Sequence, residues 1–264
     1  MIYDEISAKL KAAGLKADPA SIALWAEREM VSGGMLETVR DFASLLAKSK
    51  ETSTRETLLK MSRLPSVDLK TFSNFDFTRF GEEAGAVLRS LTSLSFLPQG
   101  RNVVLVGDTG TGKTHIAKAI GYEACSHGIK TYFTSFHELN SRITKERVRG
   151  TVHAFERTMR SQKCLIIDEV GKDRMDAGNT AVFFNLIEGR AESRSPGSIV
   201  MTSNTALDGW KDFFTVDTTT EAILDRIIDR VEYFSLTGAS YRGRDRNVHH
   251  IKIDSAPLTV SGRR

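Results

Sequence analysis

Three groups of residues in this sequence have the types and spacing of a phosphate-transfer site. The first is Gly107-Asp-Thr-Gly-Thr-Gly-Lys-Thr114. Glycines at 107, 110 and 112 let backbone N–H groups wrap an anion at distances that a Cβ would forbid. Lys113 can reach the β- and γ-phosphates, and the Thr114 hydroxyl is a hard oxygen suited to Mg2+. The second group is the acidic pair Asp168-Glu169. Asp168 would hold Mg2+ directly or through a water, and Glu169 would orient and deprotonate an attacking water. The third is Asn204, which either touches the γ-phosphate, positions that water, or closes a turn. Together they predict a nucleoside triphosphate bound with Mg2+ by the loop residues Gly107, Asp108, Thr109, Gly110, Thr111, Gly112, Lys113 and Thr114, and by His115.

The surrounding elements must bring these groups to one place. Asn102–Val106 is a continuous apolar run with the length of a buried strand, and His115–Cys125 has apolar residues at helical spacing. Strand, Gly-rich loop and helix is the context that a phosphate loop needs. Lys130–Phe136 reads as a second strand and Cys164–Glu169 as a third, with the acidic pair at its C-terminal end, where open α/β sheets bind ligands. Ser198–Asn204 is a fourth strand and Val231–Leu236 a fifth. Helices are predicted over Glu82–Phe96, Asn179–Arg194 and Glu221–Arg230, with a polar helical stretch from His137 to Lys163. The fold class is therefore α/β, a parallel sheet of about five strands flanked by helices.

Residues 1–64 read as a separate helical unit. Asp18-Pro-Ala20 supplies a helix start, Gly33-Gly34 a break, and Leu36, Val39, Phe42, Leu45 and Leu46 another helical face. No catalytic constellation lies there, which suits an interaction domain. Leu64-Pro65 ends the run. Phe72, Phe75, Phe77 and Phe80 follow, available either to a nucleotide base or to the core of the next domain. The nucleoside-triphosphate-binding domain is expected over 65–254, with a small C-terminal lid and a flexible tail at 255–264. The chain of 264 residues is 40% hydrophobic and 27% charged with net charge +4, as in an ordinary globular protein that favours anionic partners. Its two cysteines, Cys125 and Cys164, are not at metal-ligand spacing and suit a reducing cytoplasm. No apolar run has membrane-spanning length, and Asp4, Glu5 and Lys9 interrupt any signal-peptide pattern.

The ordered set of phosphate loop, Leu165-Ile-Ile-Asp-Glu169, Thr202-Ser-Asn204 and Leu224-Asp-Arg226 resembles that of an AAA+ ATPase. More narrowly, the chain is similar to the IstB family of insertion-sequence helper ATPases, beside the DnaC and DnaI helicase loaders in the initiator branch. Ser62-Arg-Leu-Pro65, Lys70-Thr-Phe-Ser-Asn-Phe-Asp-Phe77, Ser93-Leu-Ser-Phe96, Arg101–Gly107, Gly112–Ala117 and Gly238-Ala-Ser-Tyr-Arg242 carry the resemblance, over about residues 50–245. It implies ATP as the nucleotide, a homo-oligomer on DNA, and an arginine finger reaching the neighbouring subunit's ATP. Arg226 is the candidate finger and Arg230 the reserve. Arg242 matches an arginine that senses nucleotide in cis or faces the neighbour.

Between the second and third strands, Arg142, Lys145, Arg147, Arg149, Arg157 and Arg160 outnumber Glu146 and Glu156. Such a cluster is either an electrostatic footprint for DNA phosphates or a solvated helix face. The resemblance places a DNA-facing helical insertion here. No zinc finger, homeodomain or helix-turn-helix pattern is present, so weak sequence preference is expected. Two functions fit: a cytoplasmic helper of DNA transposition that binds duplex DNA and stimulates a partner transposase, or a replicative-helicase loader. The linker aromatics and Leu94-Ser-Phe96 favour the first.

Overall fold

The computed structural model describes residues 1–193, 196–215, 217–228 and 231–237. Five strands, β1 (Asn102–Gly107), β2 (Thr131–Ser135), β3 (Cys164–Val170), β4 (Ser198–Ser203) and β5 (Val231–Leu236), form one sheet in the order β2-β3-β4-β1-β5. Every pairing is parallel. The continuous apolar runs follow from that arrangement, because helices cover both faces and neither face of β1, β3 or β4 meets water. Val104 and Val106 of β1 point into one cluster with Phe136, Leu186 and Trp210. Val103 and Leu105 point into the other, with Phe96, Ile116 and Ile120. Each such buried aliphatic side chain contributes about 1.5–3 kcal/mol.

On the second face lie α4 (Glu82–Ser90) and α5 (Lys113–Ser126); on the first lie α6 (Phe136–Arg149), α7 (Val152–Arg160), α8 (Ala177–Ala191) and α9 (Asp217–Ile228). Several boundaries differ from the sequence expectation. The helix at 82 stops at Ser90, where a 3-10 turn leads to Leu94 in the left-handed region (φ 54°). The basic stretch is two helices rather than one, because Gly150 (φ 70°) ends α6. The helix predicted from 179 begins at Ala177, after Asp176 accepts the Asn179 N–H at 2.7 Å. The last helix begins at Asp217, ahead of the predicted Glu221.

Three further helices precede the sheet: α1 (Ile2–Ala12), α2 (Pro19–Arg28) and α3 (Gly33–Met61). Asp18 caps α2 through the Ser21 N–H at 2.9 Å with Pro19 at the first helical position, as read from the sequence. Gly33-Gly34 is not the break. Met30 (φ 53°) makes it: the Met30 and Val31 N–H groups return to the Glu27 and Ala26 carbonyls and terminate α2. Ser32 then caps the Met35 N–H, so the two glycines occupy the first turn of α3, where they cost little. These helices bury a cluster of their own, Ile6, Ile22, Ala26 and Leu36.

The end of α3 joins the core of the sheet. The Ser62 carbonyl accepts the Phe133 N–H at 2.7 Å, which covers the outer edge of β2. Leu64 is buried, and Arg63 donates to the Tyr132 hydroxyl at 2.9 Å. Phe75 and Phe77 then sink into the core around Leu88 and Leu91, with Phe72 and Phe80 packed against it, so the linker aromatics serve the core. No helix among the described residues is long and apolar enough to cross a membrane. The predicted lid and tail beyond residue 237 lie outside the described residues.

Candidate nucleotide site

The phosphate loop runs from the C-terminal end of β1 to the start of α5, at the top of the middle of the sheet. Gly107 has φ 148°, and a Cβ on it would stand 2.1 Å from the Leu236 carbonyl oxygen of β5. Gly112 has φ 102°, a left-handed backbone that L side chains rarely adopt, and turns the chain into α5. Side chains therefore cannot replace these two hydrogens without moving backbone. Thr111 is buried, and its hydroxyl donates to the Asp108 carbonyl at 2.9 Å. The Lys113 ammonium lies across the loop, donating to the Gly107 and Asp108 carbonyls at 2.6 and 2.7 Å. The first N–H groups of α5 have no carbonyl one turn earlier and face outward with the positive end of the helix dipole.

A cavity of about 610 Å3 opens in front of this loop, the volume class of a cofactor-sized ligand. Thr109, Gly110, Gly112, Lys113, Thr114 and His115 line it from the loop. Gly107, Asp108 and Thr111 shape the loop from behind. Glu169 and Asn204 line the opposite wall. The Asn204 amide donates to the Thr109 hydroxyl at 3.3 Å, so Asn204 faces the loop rather than merely closing a turn.

Asp168 stands beneath. Its Oδ1 accepts the Thr114 hydroxyl at 2.9 Å and the Thr202 hydroxyl at 2.5 Å. An aliphatic hydroxyl and a carboxylate this close are hard oxygen donors of the kind that Mg2+ takes, and Thr114 lines the cavity where a phosphate would lie. The residues present therefore fit that ion. Glu169 is half-exposed in the cavity wall, and the Lys172 ammonium contacts its Oε2 at 2.7 Å. Both partners are over a third exposed, so this pair is worth well under about 1 kcal/mol.

His115 closes the side nearest the linker. Its Nε2 lies 2.9 Å from both the Thr71 carbonyl and Asn74 Oδ1. The Asn74 amide is itself oriented, with Oδ1 accepting the Thr71 N–H at 2.9 Å and Nδ2 donating to the Leu69 carbonyl at 2.6 Å. Two acceptors on Nε2 require the proton there. Burial pushes this imidazole below its ordinary range, so it is neutral at pH 7 with Nδ1 unprotonated. Sequence reading missed Lys70, Asn74, Lys118, Lys172 and Thr202 at this cavity. Thr202 carried a signal, because it lies two residues before Asn204, and period two continued one residue past the end of β4 puts both on one side.

The other predicted residues lie elsewhere. Arg226, on α9, is half-exposed, and its guanidinium is 3.9 Å from Glu188 of α8. Arg230 and Arg242 are outside the described residues. Of the six basic residues, Arg147 donates to Asp176 at 2.8 and 3.1 Å and to Asn179 at 2.7 Å. Arg142 donates to the Tyr132 hydroxyl at 2.8 Å and covers Phe155. Arg160 donates to the Asn185 carbonyl at 2.7 Å. Lys145 and Arg149, four apart on α6, and Arg157 on α7 are exposed.

A family model described as IstB-like ATP binding protein matches residues 8–248. The ATP-binding protein of insertion sequence IS5376 from Geobacillus stearothermophilus is 33% identical over 203 residues, covering 77% of this chain and 79% of that protein. The corresponding protein of IS21 from Pseudomonas aeruginosa is 32% identical over 191 residues, 72% of this chain and 70% of its own. Among solved structures, AMPPCP-bound DnaA from Aquifex aeolicus superposes with a TM-score of 0.53 at 20% identity, over 66% of this chain and 51% of that one. A DnaI crystal structure gives 0.54 at 19% identity, over 71% and 99%. At that identity the two structures speak for the fold alone, a P-loop fold of the AAA+ type. Sequence relatives and the family model agree over most of the length, and the chain belongs to the IstB-like ATP-binding proteins of insertion sequences.

Proposed function

We propose that this protein is an ATPase that assembles on duplex DNA and serves as a helper of DNA transposition, recruiting and stimulating a partner transposase. The observation that carries the ATPase reading is the convergence of Thr114, Glu169 and Asn204 on one cavity, from the start of α5 and the C-terminal ends of β3 and β4, with Asp168 hydrogen-bonded to Thr114 beneath it. The loop N–H groups and Lys113 bind the triphosphate of ATP. Thr114 and Asp168 would hold Mg2+, which when bound would supply positive charge against the triphosphate. Glu169 accepts a proton from water as the water oxygen bonds to the γ-phosphorus. The bond from that phosphorus to the β–γ bridging oxygen breaks, giving ADP and phosphate. Asn204 orients the water or the γ-phosphate. Arg226 of one subunit is the candidate finger for the next subunit's ATP, which ties hydrolysis to assembly.

The DNA reading rests on the basic α6–α7 segment, with Lys145, Arg149 and Arg157 as the first phosphate contacts because they are exposed. The transposition reading rests on the insertion-sequence relatives. The helicase-loader reading has only fold-level likeness to DnaI behind it. Residues 1–64 form the docking unit for the partner and 65–254 the ATPase domain. Sedimentation and electron microscopy of the purified protein with a random duplex, ATP against ADP, test the function. Large ATP-dependent assemblies without any helicase are expected. Binding only to single strands or to a hexameric helicase would overturn the reading in favour of a loader.

A further inference from the structure

The ladder between β3 and β4 is irregular where the acidic pair sits. Ile167 pairs with Met201 and Val170 with Ser203, so Asp168 and Glu169 together oppose the single residue Thr202. That is a bulge, and Glu169 occupies it in the left-handed region at φ 59°. A non-glycine residue in that conformation costs on the order of 1 kcal/mol and persists where its surroundings impose it. A bulge also removes a ladder partner from the backbone, and a buried N–H needs another acceptor.

Thr202 supplies it. Its side chain is buried, 1% exposed. The hydroxyl oxygen accepts the Glu169 backbone N–H at 2.9 Å and donates its own proton to Asp168 Oδ1 at 2.5 Å. One hydroxyl thus fixes the carboxylate of residue 168 and the backbone of residue 169. Next to it, the Ser203 hydroxyl donates to the Val170 carbonyl at 2.8 Å and closes the far side of the bulge. We infer that Thr202 is a positioning residue for the reaction: it holds Asp168 beside Thr114 and aims Glu169 into the cavity, without touching ATP itself. This rests on the ATPase reading above.

Thr202→Val keeps the size and β-branching and removes the hydroxyl; Thr202→Ser keeps the hydroxyl. Both are compared with wild type in the full chain, for phosphate release over a Mg2+ series and for binding of a fluorescent ATP analogue with and without Mg2+. For Thr202→Val, analogue affinity without Mg2+ stays within about threefold of wild type and kcat falls about 10- to 100-fold, as for a lost hydrogen bond to a charged group. The gain in analogue affinity on adding Mg2+ shrinks, and the Mg2+ needed for half-maximal turnover rises. Thr202→Ser restores kcat to within about threefold of wild type. Wild-type kcat and Mg2+ dependence in Thr202→Val would overturn the inference, as would a Thr202→Ser variant as slow as Thr202→Val. If Thr202→Val does not fold, Thr202→Ala against Thr202→Ser decides, and equal turnover of those two overturns it. A wild-type protein that releases no phosphate with or without duplex DNA overturns the hydrolase reading itself. The Mg2+-linked binding difference still reads Thr202 in that case, and its absence overturns the inference separately.

Discussion

The basic residues of α6 and α7 divide into two classes that respond differently to substitution. Replacing Lys145, Arg149 and Arg157 together with Ala removes three exposed cations and, among the described residues, no side-chain hydrogen bond or ion pair. Each phosphate neutralised contributes about −0.9 to the slope of log affinity against log salt. The triple variant should therefore bind duplex DNA with a slope shallower by about 2.7. Between 50 and 200 mM salt that difference amounts to about 40-fold in affinity. Arg147→Ala removes instead a guanidinium held by Asp176 at 2.8 Å and Asn179 at 2.7 Å, where Asp176 caps α8. The Arg147 side chain is 37% exposed, so its loss costs about 1 kcal/mol rather than the several expected of a buried pair. In a domain of this size that is about 2–4 °C in Tm. Anisotropy of a labelled random duplex in the presence of ATP measures the slopes, and calorimetry the melting. The reasoning is refuted if the triple variant keeps the wild-type slope. It is equally refuted if Arg147→Ala flattens the slope as much as the triple change while melting as wild type does.

Within the nucleotide site, Lys113→Ala should abolish ATP binding and with it assembly on DNA, read by a fluorescent nucleotide and by sedimentation. Glu169→Gln keeps the size and loses the base, so it should bind ATP normally, turn over at least about 100-fold more slowly, and leave a persistent DNA-bound oligomer. A normal rate would mean that another group takes the proton. Burial pushes the Cys164 thiol up to about 12 and moves Cys125 in the same direction. Both thiols are then protonated and enclosed at pH 8, and a thiol reagent should titrate two groups only after urea is added; fast labelling of the native protein would contradict the packing. Arg190 is buried with no carboxylate partner among the described residues, donating to the Met159, Gln162 and Ser198 carbonyls, and burial pushes it down to about 10. Arg190→Ala leaves those carbonyls and a cavity, so it should cost about 3 kcal/mol in denaturant unfolding while nucleotide affinity stays unchanged.

The chemistry of this protein is local, and local chemistry is written in the chain. Gly107–Thr114 forms a phosphate loop because glycine spacing, a terminal Lys-Thr and flanking strand and helix patterns all lie within one stretch. The same holds for Asp168-Glu169 after four apolar residues, and for the Asp18-Pro19 helix start. Gly33-Gly34 reads as a break, yet the neighbouring backbone decided otherwise: the left-handed Met30 ends α2 three residues before Gly33, and Ser32 caps α3. Other features were decided by contacts between distant segments. Arg147 and Lys145 are alike in sequence, and only the position of Asp176 and Asn179, some 30 residues on, separates a structural arginine from an exposed lysine. Thr202 became the partner of both acidic residues because β3 carries one residue more than β4 at that point. Strand order and register are set by the packing of whole helices on both sheet faces, which no short window of sequence contains. The residues proposed to bind phosphate were therefore legible from the chain, whereas the residues that hold them in place appeared only once the strands lay side by side.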